Sequence, residues 1–460
     1  MREVRAVVAG NIVIHGLTLK AIERLDQTLS FVNPKFAMLE AFRRYTGNEP
    51  EFIRTLVDRP DGSVSVPRGA HLVVQRALER DGIRLRYEDC RSHGEPLGEF
   101  AEVGLRPYQG QGVQALQNST QGTIVLGCGG GKTRLGIAAI GKINRSTLVL
   151  VHTQDLLDQW VEGVRDLLGL EAGIVAGGQA VWRPVTVAII DTLMLRLESD
   201  ADELNRFGFV IVDEAHHAPS KTYQELFPHL PARFRLGLTA TPEREDKLTR
   251  LMDWSFGDRL LEMRASDLIE AGYLMRPSLD VVRTDFNFDV NRIAMTMRNA
   301  KLTEAIVSDE ARNTIICDLA EADYKTGESV VILSNHRAHC TLLGEMLQAR
   351  GVDAHVLIAS GSKKAKQARQ DAIQGMRDGV VRCIIATSLF DEGVNVDRLS
   401  RLILALPQKA KGSTEQKVGR LMRLFDGKQP KLYDLVDHRV STLVRRWNER
   451  KRVYQTLGIL

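Results

Sequence analysis

The apolar run Thr123-Ile124-Val125-Leu126 leads straight into Gly127-Cys128-Gly129-Gly130-Gly131-Lys132-Thr133, and a helical run from Leu135 to Ile140 follows. Strand, glycine loop and helix in that order are the context that a phosphate-cradling loop requires. Glycines at 129 and 131 let the backbone turn so that several N–H groups point at one anion. Lys132 is placed to reach the β and γ phosphates of a nucleotide, and the Thr133 hydroxyl to hold Mg²⁺. One departure from the strict pattern is visible: Leu126 stands where Gly or Ala is usual.

A second signal lies downstream. Phe209-Val210-Ile211-Val212 reads as a fully apolar buried strand that delivers Asp213-Glu214-Ala215-His216 at its C-terminal end. In an open parallel α/β sheet, ligands bind beyond those strand ends. Asp213 is therefore placed to bind Mg²⁺, and Glu214 to polarise an attacking water.

At 460 residues the chain is too long for one core, so two or three domains are expected. A net charge of +4 permits a nucleic-acid partner without demanding one. The positive charge is uneven. Lys409 to Arg452 holds 13 Lys/Arg against 5 Asp/Glu, whereas Met1 to Phe100 holds 15 against 14. Five scattered cysteines contain no CxxC pair, which suggests neither zinc nor a disulfide framework and fits a reducing cytosol. No apolar run is long enough to span a membrane, so a cytoplasmic protein, bacterial or in a phage-infected host, is expected.

Along the chain, strand-like runs at Thr123–Leu126, Thr147–Val151, Val185–Ile190, Phe209–Val212 and Phe234–Leu238 alternate with helical stretches. After Gly272–Pro277 a second series follows at Ser329–Leu333, Ala354–Ile358, Val381–Ile385, Arg401–Leu404 and Lys431–Val436, with no second glycine-Lys-Thr loop. Residues 1–100 differ in texture. Val4 to Ile14 reads as two short strands around Gly10-Asn11, Phe36 to Tyr45 and Ala70 to Arg80 as helices, and Arg91 to Pro96 as a polar linker. The expected division is 1–100, 101–273 and 274–460.

In this order the motifs resemble those of superfamily 2 helicases and translocases, over roughly residues 105–455. Leu105-Arg106-Pro107-Tyr108-Gln109 resembles the adenine-reading segment, which implicates Arg106 and Gln109. Leu148 to Gln154 is similar to the first nucleic-acid-contacting motif, implying backbone contacts through Thr153 and Gln154; Ile190-Asp191-Thr192-Leu193 resembles another, through Thr192. Leu238-Thr239-Ala240-Thr241-Pro242 resembles the motif that couples hydrolysis to lobe movement, its hydroxyls bridging to His216 or the Asp213–Glu214 strand end. Glu243-Arg244-Glu245-Asp246 is similar to the triplet that follows it in the XPB-type subgroup, where it is associated with duplex opening. In the second series, Val330 to Asn335 resembles a strand that grips nucleic acid through Ser334 and Asn335. Ala386 to Asn395 resembles the motif that touches DNA and ribose, through Thr387 and Gly393. Gln416 to Arg423 is similar to the arginine-finger motif; Arg420 and Arg423, three apart, are expected on one helix face. Gly361 to Lys366 is either a phosphate contact or a solvated face. Trp447 and Tyr454 are read as core residues with outward arginines around them.

The resemblance implies an α/β chain with two RecA-like parallel-sheet domains in tandem and a small α+β N-terminal domain. It implies ATP and Mg²⁺ as cofactors, Lys132, Glu214, Arg420 and Arg423 in the chemistry, and duplex, forked or branched DNA as partner. Branch migration, repair and recombination are the implied settings, with a monomer acting away from membranes. Residues 1–100 resemble, in placement, the small DNA-binding domains of phage branch-migration helicases; docking of a protein partner is the competing account. The rivals are an RNA helicase and a nucleic-acid-stimulated ATPase switch in defence.

Overall fold

The computed structural model describes residues 2–241, 248–290, 293–358, 363–387, 396–407 and 411–460. The chain forms two compact units, Met1–Leu126 with Gly131–Glu262, and Gly127–Gly130 with Met263–Leu460.

In the first unit an eight-stranded sheet runs Gln179–Val181, Gly173–Ala176, Val185–Ile189, Thr147–Val151, Phe209–Val212, Phe234–Thr239, Gln121–Leu126, Arg259–Met263. From Gly173–Ala176 to Gln121–Leu126 every neighbouring pair is parallel. The central strands are mostly apolar because helices cover both faces: Phe209–Val212 and Thr147–Val151 are buried at every residue. Parallel pairing brings their C-terminal ends, and the loops that follow, to one edge of the sheet. All five strands expected here from the sequence are present. Gln179–Val181, Gly173–Ala176 and Arg259–Met263 were not expected.

Residues 2–89 of the same unit form a five-stranded sheet in the order Val57–Asp58, Val64–Val66, Ile12–Ile14, Arg2–Val8, Ile83–Asp89. The strands around Gly10-Asn11 are as expected, and the second expected helix is His71–Glu79. The first stops early, at Pro34–Ala41. An unexpected helix, Leu19–Thr28, is started by Thr18, whose hydroxyl accepts from the Ala21 N–H. The core of this sheet, built on Ile12, Leu25, Val66 and Leu78, is completed from outside it. Leu251 and Trp254, from helix Thr249–Phe256 of the larger sheet, lie inside its hydrophobic cluster. Residues 91–96 are not a free linker either. Ser92 N donates to the Pro231 carbonyl at 2.8 Å, and Glu95 N to the Ser146 hydroxyl at 3.1 Å.

The second unit is built on a six-stranded sheet, Ser278–Thr284, Lys431–Asp437, Arg401–Leu404, Val330–Leu333, Cys383–Ala386, Ala354–Leu357. It is parallel throughout. Its core joins Ile316, Leu343 and Leu347 of the covering helices to Val330, Ile332, Ile385 and Ile403. The closing helix Ser441–Thr456 departs from expectation. Tyr454 is buried, but so is Arg450, which grips Asp434 with two 2.7 Å bonds while the Tyr454 hydroxyl donates to the same carboxylate. Arginine turns inward because the carboxylate at the strand accepts its planar fork. Among the described residues no helix is long and apolar enough to cross a membrane.

Candidate functional site

The glycine loop of the first sheet supplies one side of the site. Gly129 and Gly131 have φ of +85° and +79°, conformations that a residue with a Cβ takes only under strain. Gly131 N-caps helix Lys132–Ile143 and supplies no side-chain cap, so the positive end of that helix faces the loop. The other side comes from the end of Phe209–Val212. There the Lys132 ammonium lies 3.3 Å from Glu214 Oε1.

The two adjacent carboxylates are held differently. Asp213 is 2% exposed, and both its oxygens accept a hydrogen bond, from Trp160 Nε1 at 2.8 Å and from the Glu214 N–H at 2.9 Å. Burial, and then the neighbouring Glu214, push its carboxyl up to about 6. Burial acts to raise Glu214 as well, but the Lys132 ammonium and His216 outweigh it and hold Glu214 below the usual carboxylate range. Glu214 also has φ of +48°, a left-handed backbone costing on the order of 1–2 kcal/mol in a non-glycine residue. Such strain concentrates at functional sites.

Thr239, at the end of the adjacent strand, places its hydroxyl 3.2 Å from His216 Nδ1, and His216 lies 3.3 Å from Glu214 Oε2. The bridge expected between the Thr-Ala-Thr segment and the strand end is thus present through Thr239. The Thr241 N–H donates to the Thr239 hydroxyl at 3.2 Å.

Arg106 and Gln109 are brought to the same edge. Gln109 is 2% exposed. Its Oε1 accepts from the Arg106 N–H at 2.9 Å, and its Nε2 donates to the Gly131 carbonyl at 3.3 Å. Here the amide expected to read adenine braces the glycine loop. Thr133 accepts from Gln159 Nε2 at 3.0 Å. Trp160 and Gln159 escaped the sequence reading, since periodicity marks Trp160 only as core. The usable signal was chemical: a buried indole N–H needs an acceptor.

The donor set suits a hard cation. Two buried carboxylates and a hydroxyl are oxygen ligands, and the upward shift of Asp213 is one that a cation would relieve.

The remaining expected residues divide. Thr153 caps helix Gln154–Leu168, its hydroxyl accepting from the Leu156 N–H at 3.3 Å, and Gln154 is exposed beside it. Thr192 lies half-buried in the short helix Ile190–Met194. In the second unit Asn335 is exposed, but Ser334 is fully buried and its hydroxyl pairs with His339 Nδ1 at 2.9 Å. Ser334 is therefore not an open contact. Thr387 is 8% exposed, just beyond strand Cys383–Ala386. Arg420 is on helix Lys411–Leu421, which ends before Arg423. The two arginines therefore do not share a helix face. Arg423 instead sends Nη1 to Asp397 Oδ1 at 3.3 Å. Gly393, the triplet Arg244-Glu245-Asp246, and Gly361 and Ser362 of the basic cluster lie outside the described residues.

Two family models match the chain. Residues 102–244 match "Type III restriction enzyme, res subunit", and residues 311–425 match "Helicase conserved C-terminal domain". The chain is 28% identical over 377 residues to the DNA 3'-5' translocase XPB2 of Sulfurisphaera tokodaii, covering 74% of this chain and 84% of that protein. It is 28% identical over 333 residues to the probable helicase D10 of Escherichia phage T5, covering 72% and 70%. Among solved structures, Saccharomyces cerevisiae Dbp5 bound to RNA and ADP BeF3 superposes with a TM-score of 0.55 at 14% identity, covering 79% of this chain and 94% of that one. That last likeness concerns the fold alone. With a glycine-loop sheet carrying Asp213-Glu214-Ala215-His216 matched by the res-subunit model, a second parallel sheet matched by the helicase C-terminal model, and helicase and translocase relatives over most of its length, the chain belongs to the superfamily 2 helicases and translocases.

Proposed function

We propose that this protein is an ATP-dependent DNA translocase whose Mg²⁺-ATP is handled by Lys132, Thr133, Asp213 and Glu214. The observation that carries the reading is the Lys132–Glu214–Asp213 cluster beyond the strand ends, on a chain with both helicase halves. Mg²⁺ would be held by Asp213 and the Thr133 hydroxyl, and would neutralise phosphate charge. Lys132, now against Glu214, would turn to the β and γ phosphates. Released from that pair, Glu214 would accept the proton of the attacking water. Arg106 and Gln109 would meet the base, and Gly393 the ribose. Arg420 and Arg423 would supply charge to the γ-phosphate in the transition state.

Thr153, Gln154, Thr192, Asn335 and Thr387 are the proposed contacts to the DNA backbone. Phosphate contacts fix position without reading sequence, which suits a motor that steps along any DNA. Branched DNA is the proposed preferred substrate, with residues 1–100 engaging it. Supporting this, Phe42 and Tyr45 are 70% and 90% exposed and flank exposed Arg43 and Arg44. Arg43 holds φ of +50° at the end of helix Pro34–Ala41, where glycine is the usual residue. Exposed rings beside arginines stack on unpaired bases.

The test measures ATPase rate without polymer and with duplex DNA, forked DNA and RNA, alongside unwinding of a fork, a four-way junction and a displacement loop. The reading expects DNA stimulation and junction unwinding. Stimulation by RNA alone would establish the RNA-helicase reading instead. Stimulation without unwinding or translocation would establish the switch.

A further inference from the structure

We propose that helix Gln154–Leu168 couples DNA contact at its first turn to the metal-binding pair, with Gln159 and Trp160 as the positioning residues. The inference rests on the nucleotide and DNA roles proposed above. Three groups of one rigid element are involved. At its start Thr153 accepts the Leu156 N–H, which leaves its own O–H to donate toward a phosphate oxygen. The positive end of a 15-residue helix favours the same anion. Two turns along, about 10 Å on, two consecutive residues reach the residues proposed to hold Mg²⁺. Gln159 Nε2 donates to Thr133 Oγ1 at 3.0 Å, and Trp160 Nε1 donates to Asp213 Oδ2 at 2.8 Å.

Trp160 cannot adjust independently of its helix. It is fully buried, and its ring fills the space above Gly136, where a Cβ would collide with it. Any displacement of the helix that follows DNA binding therefore carries both donors with it. Each donor governs an oxygen. The Trp160 and Glu214 N–H groups fix the plane of the Asp213 carboxylate and leave one lone pair on each oxygen for a cation. The Gln159 amide occupies one lone pair of Thr133 Oγ1 and leaves the other for a cation. Groups that orient metal-binding residues in this way typically change metal affinity on the order of 10–100-fold.

The experiment uses full-length Trp160→Phe and Gln159→Met, which remove the donors and keep apolar bulk. Three quantities are measured: mant-ADP affinity with and without Mg²⁺, the ratio of DNA-stimulated to basal ATPase, and DNA affinity. Both variants are expected to bind DNA, and mant-ADP without Mg²⁺, as the wild type does. Each should lose on the order of tenfold in the tightening by Mg²⁺, and a similar factor in DNA stimulation. Gln159 is only half-buried, so its variant decides the matter even if Trp160→Phe folds poorly. Wild-type Mg²⁺ dependence and wild-type DNA stimulation in folded Gln159→Met would overturn the coupling and leave the translocase reading standing. A wild-type ATPase indifferent to DNA would overturn both.

Discussion

The guanidinium of Arg235 donates to the carbonyl of Gly10 at 2.8 Å, across 225 residues of chain. The same side chain, 1% exposed, also reaches the carbonyls of Leu230 at 3.1 Å, Ser255 at 3.2 Å and Phe227 at 3.3 Å. Arg68 answers from the N-terminal side, with bonds to Gln121 Oε1 at 2.6 Å, the Ala232 carbonyl at 2.7 Å and the Ala9 carbonyl at 3.1 Å. A Cβ at Gly10 would collide with the Pro228 carbonyl oxygen. Residues 2–89 and the glycine-loop sheet are thus fastened by buried polar bonds as well as by apolar packing.

Removal of residues 1–100 should therefore not yield a stable motor. It would expose Leu251 and Trp254, now 4% and 6% exposed, and strip Arg235 of the Gly10 carbonyl. Each buried polar group left unpaired costs about 1–3 kcal/mol. The expected result is an insoluble product or a much lower melting temperature. Full-length Arg235→Met should melt lower too, with KM for ATP unchanged. A soluble truncation melting with the full-length protein would show the fastening to be dispensable.

Glu214→Gln should bind ATP and DNA yet turn over at least about 100-fold more slowly, since an amide cannot accept the water proton. Lys132→Ala should abolish hydrolysis while the protein melts as a folded one. That variant also takes the ammonium away from Glu214, 3.3 Å distant, so its carboxyl should titrate higher. Loss of nucleotide binding in Glu214→Gln would point to a ligand role for Glu214.

Arg423→Ala should lower DNA-stimulated ATPase on the order of 10³-fold with little change in nucleotide affinity. In the structure the Nη1 of Arg423 is 3.3 Å from Asp397 in a partly exposed pair, which contributes little to stability. The variant should therefore fold normally. An unchanged turnover number at saturating DNA would leave Arg423 a surface arginine.

Strand positions and the carboxylate pair were legible because a strand buried on both faces is apolar over most of its length, and ligands of a parallel sheet bind beyond its strand ends. Arg401–Leu404 and Phe209–Val212 coincide with the sequence reading residue for residue. Bonds made across long separations were not. Nothing local distinguishes Arg235, or Arg450 facing Asp434, from a solvated arginine, because only the fold supplies the carbonyls and the carboxylate. The polar run 91–96 has a linker's composition, yet its backbone groups find partners at Pro231 and Ser146 that no local pattern announces. Ser334 is closed off by a near neighbour instead: His339 is only five residues on, and nothing in the sequence shows that this histidine turns inward.

That partner gives the last prediction. His339 is fully buried, its Nε2 2.8 Å from Asn313 Oδ1 and its Nδ1 2.9 Å from the Ser334 hydroxyl. The neutral ring donates to Asn313 and accepts from Ser334. Burial, and then the charge of Arg312, lower its pKa from 6.5 to about 3. Between those values the unfolded chain binds a proton that the folded chain refuses, so stability rises with pH there. His339 stabilises fully above pH 6.5, and the contribution is lost as pH falls toward 3. The loss should be about 1.4 kcal/mol per pH unit. Melting of the second unit should therefore fall from pH 6.5 to 5, a range above most carboxylate titrations. His339→Gln should be less stable at neutral pH but nearly flat across that range. Ser334→Ala should lower stability and leave DNA affinity alone, whereas Asn335→Ala should do the reverse. A His339→Gln slope equal to the wild type would place the pH dependence elsewhere.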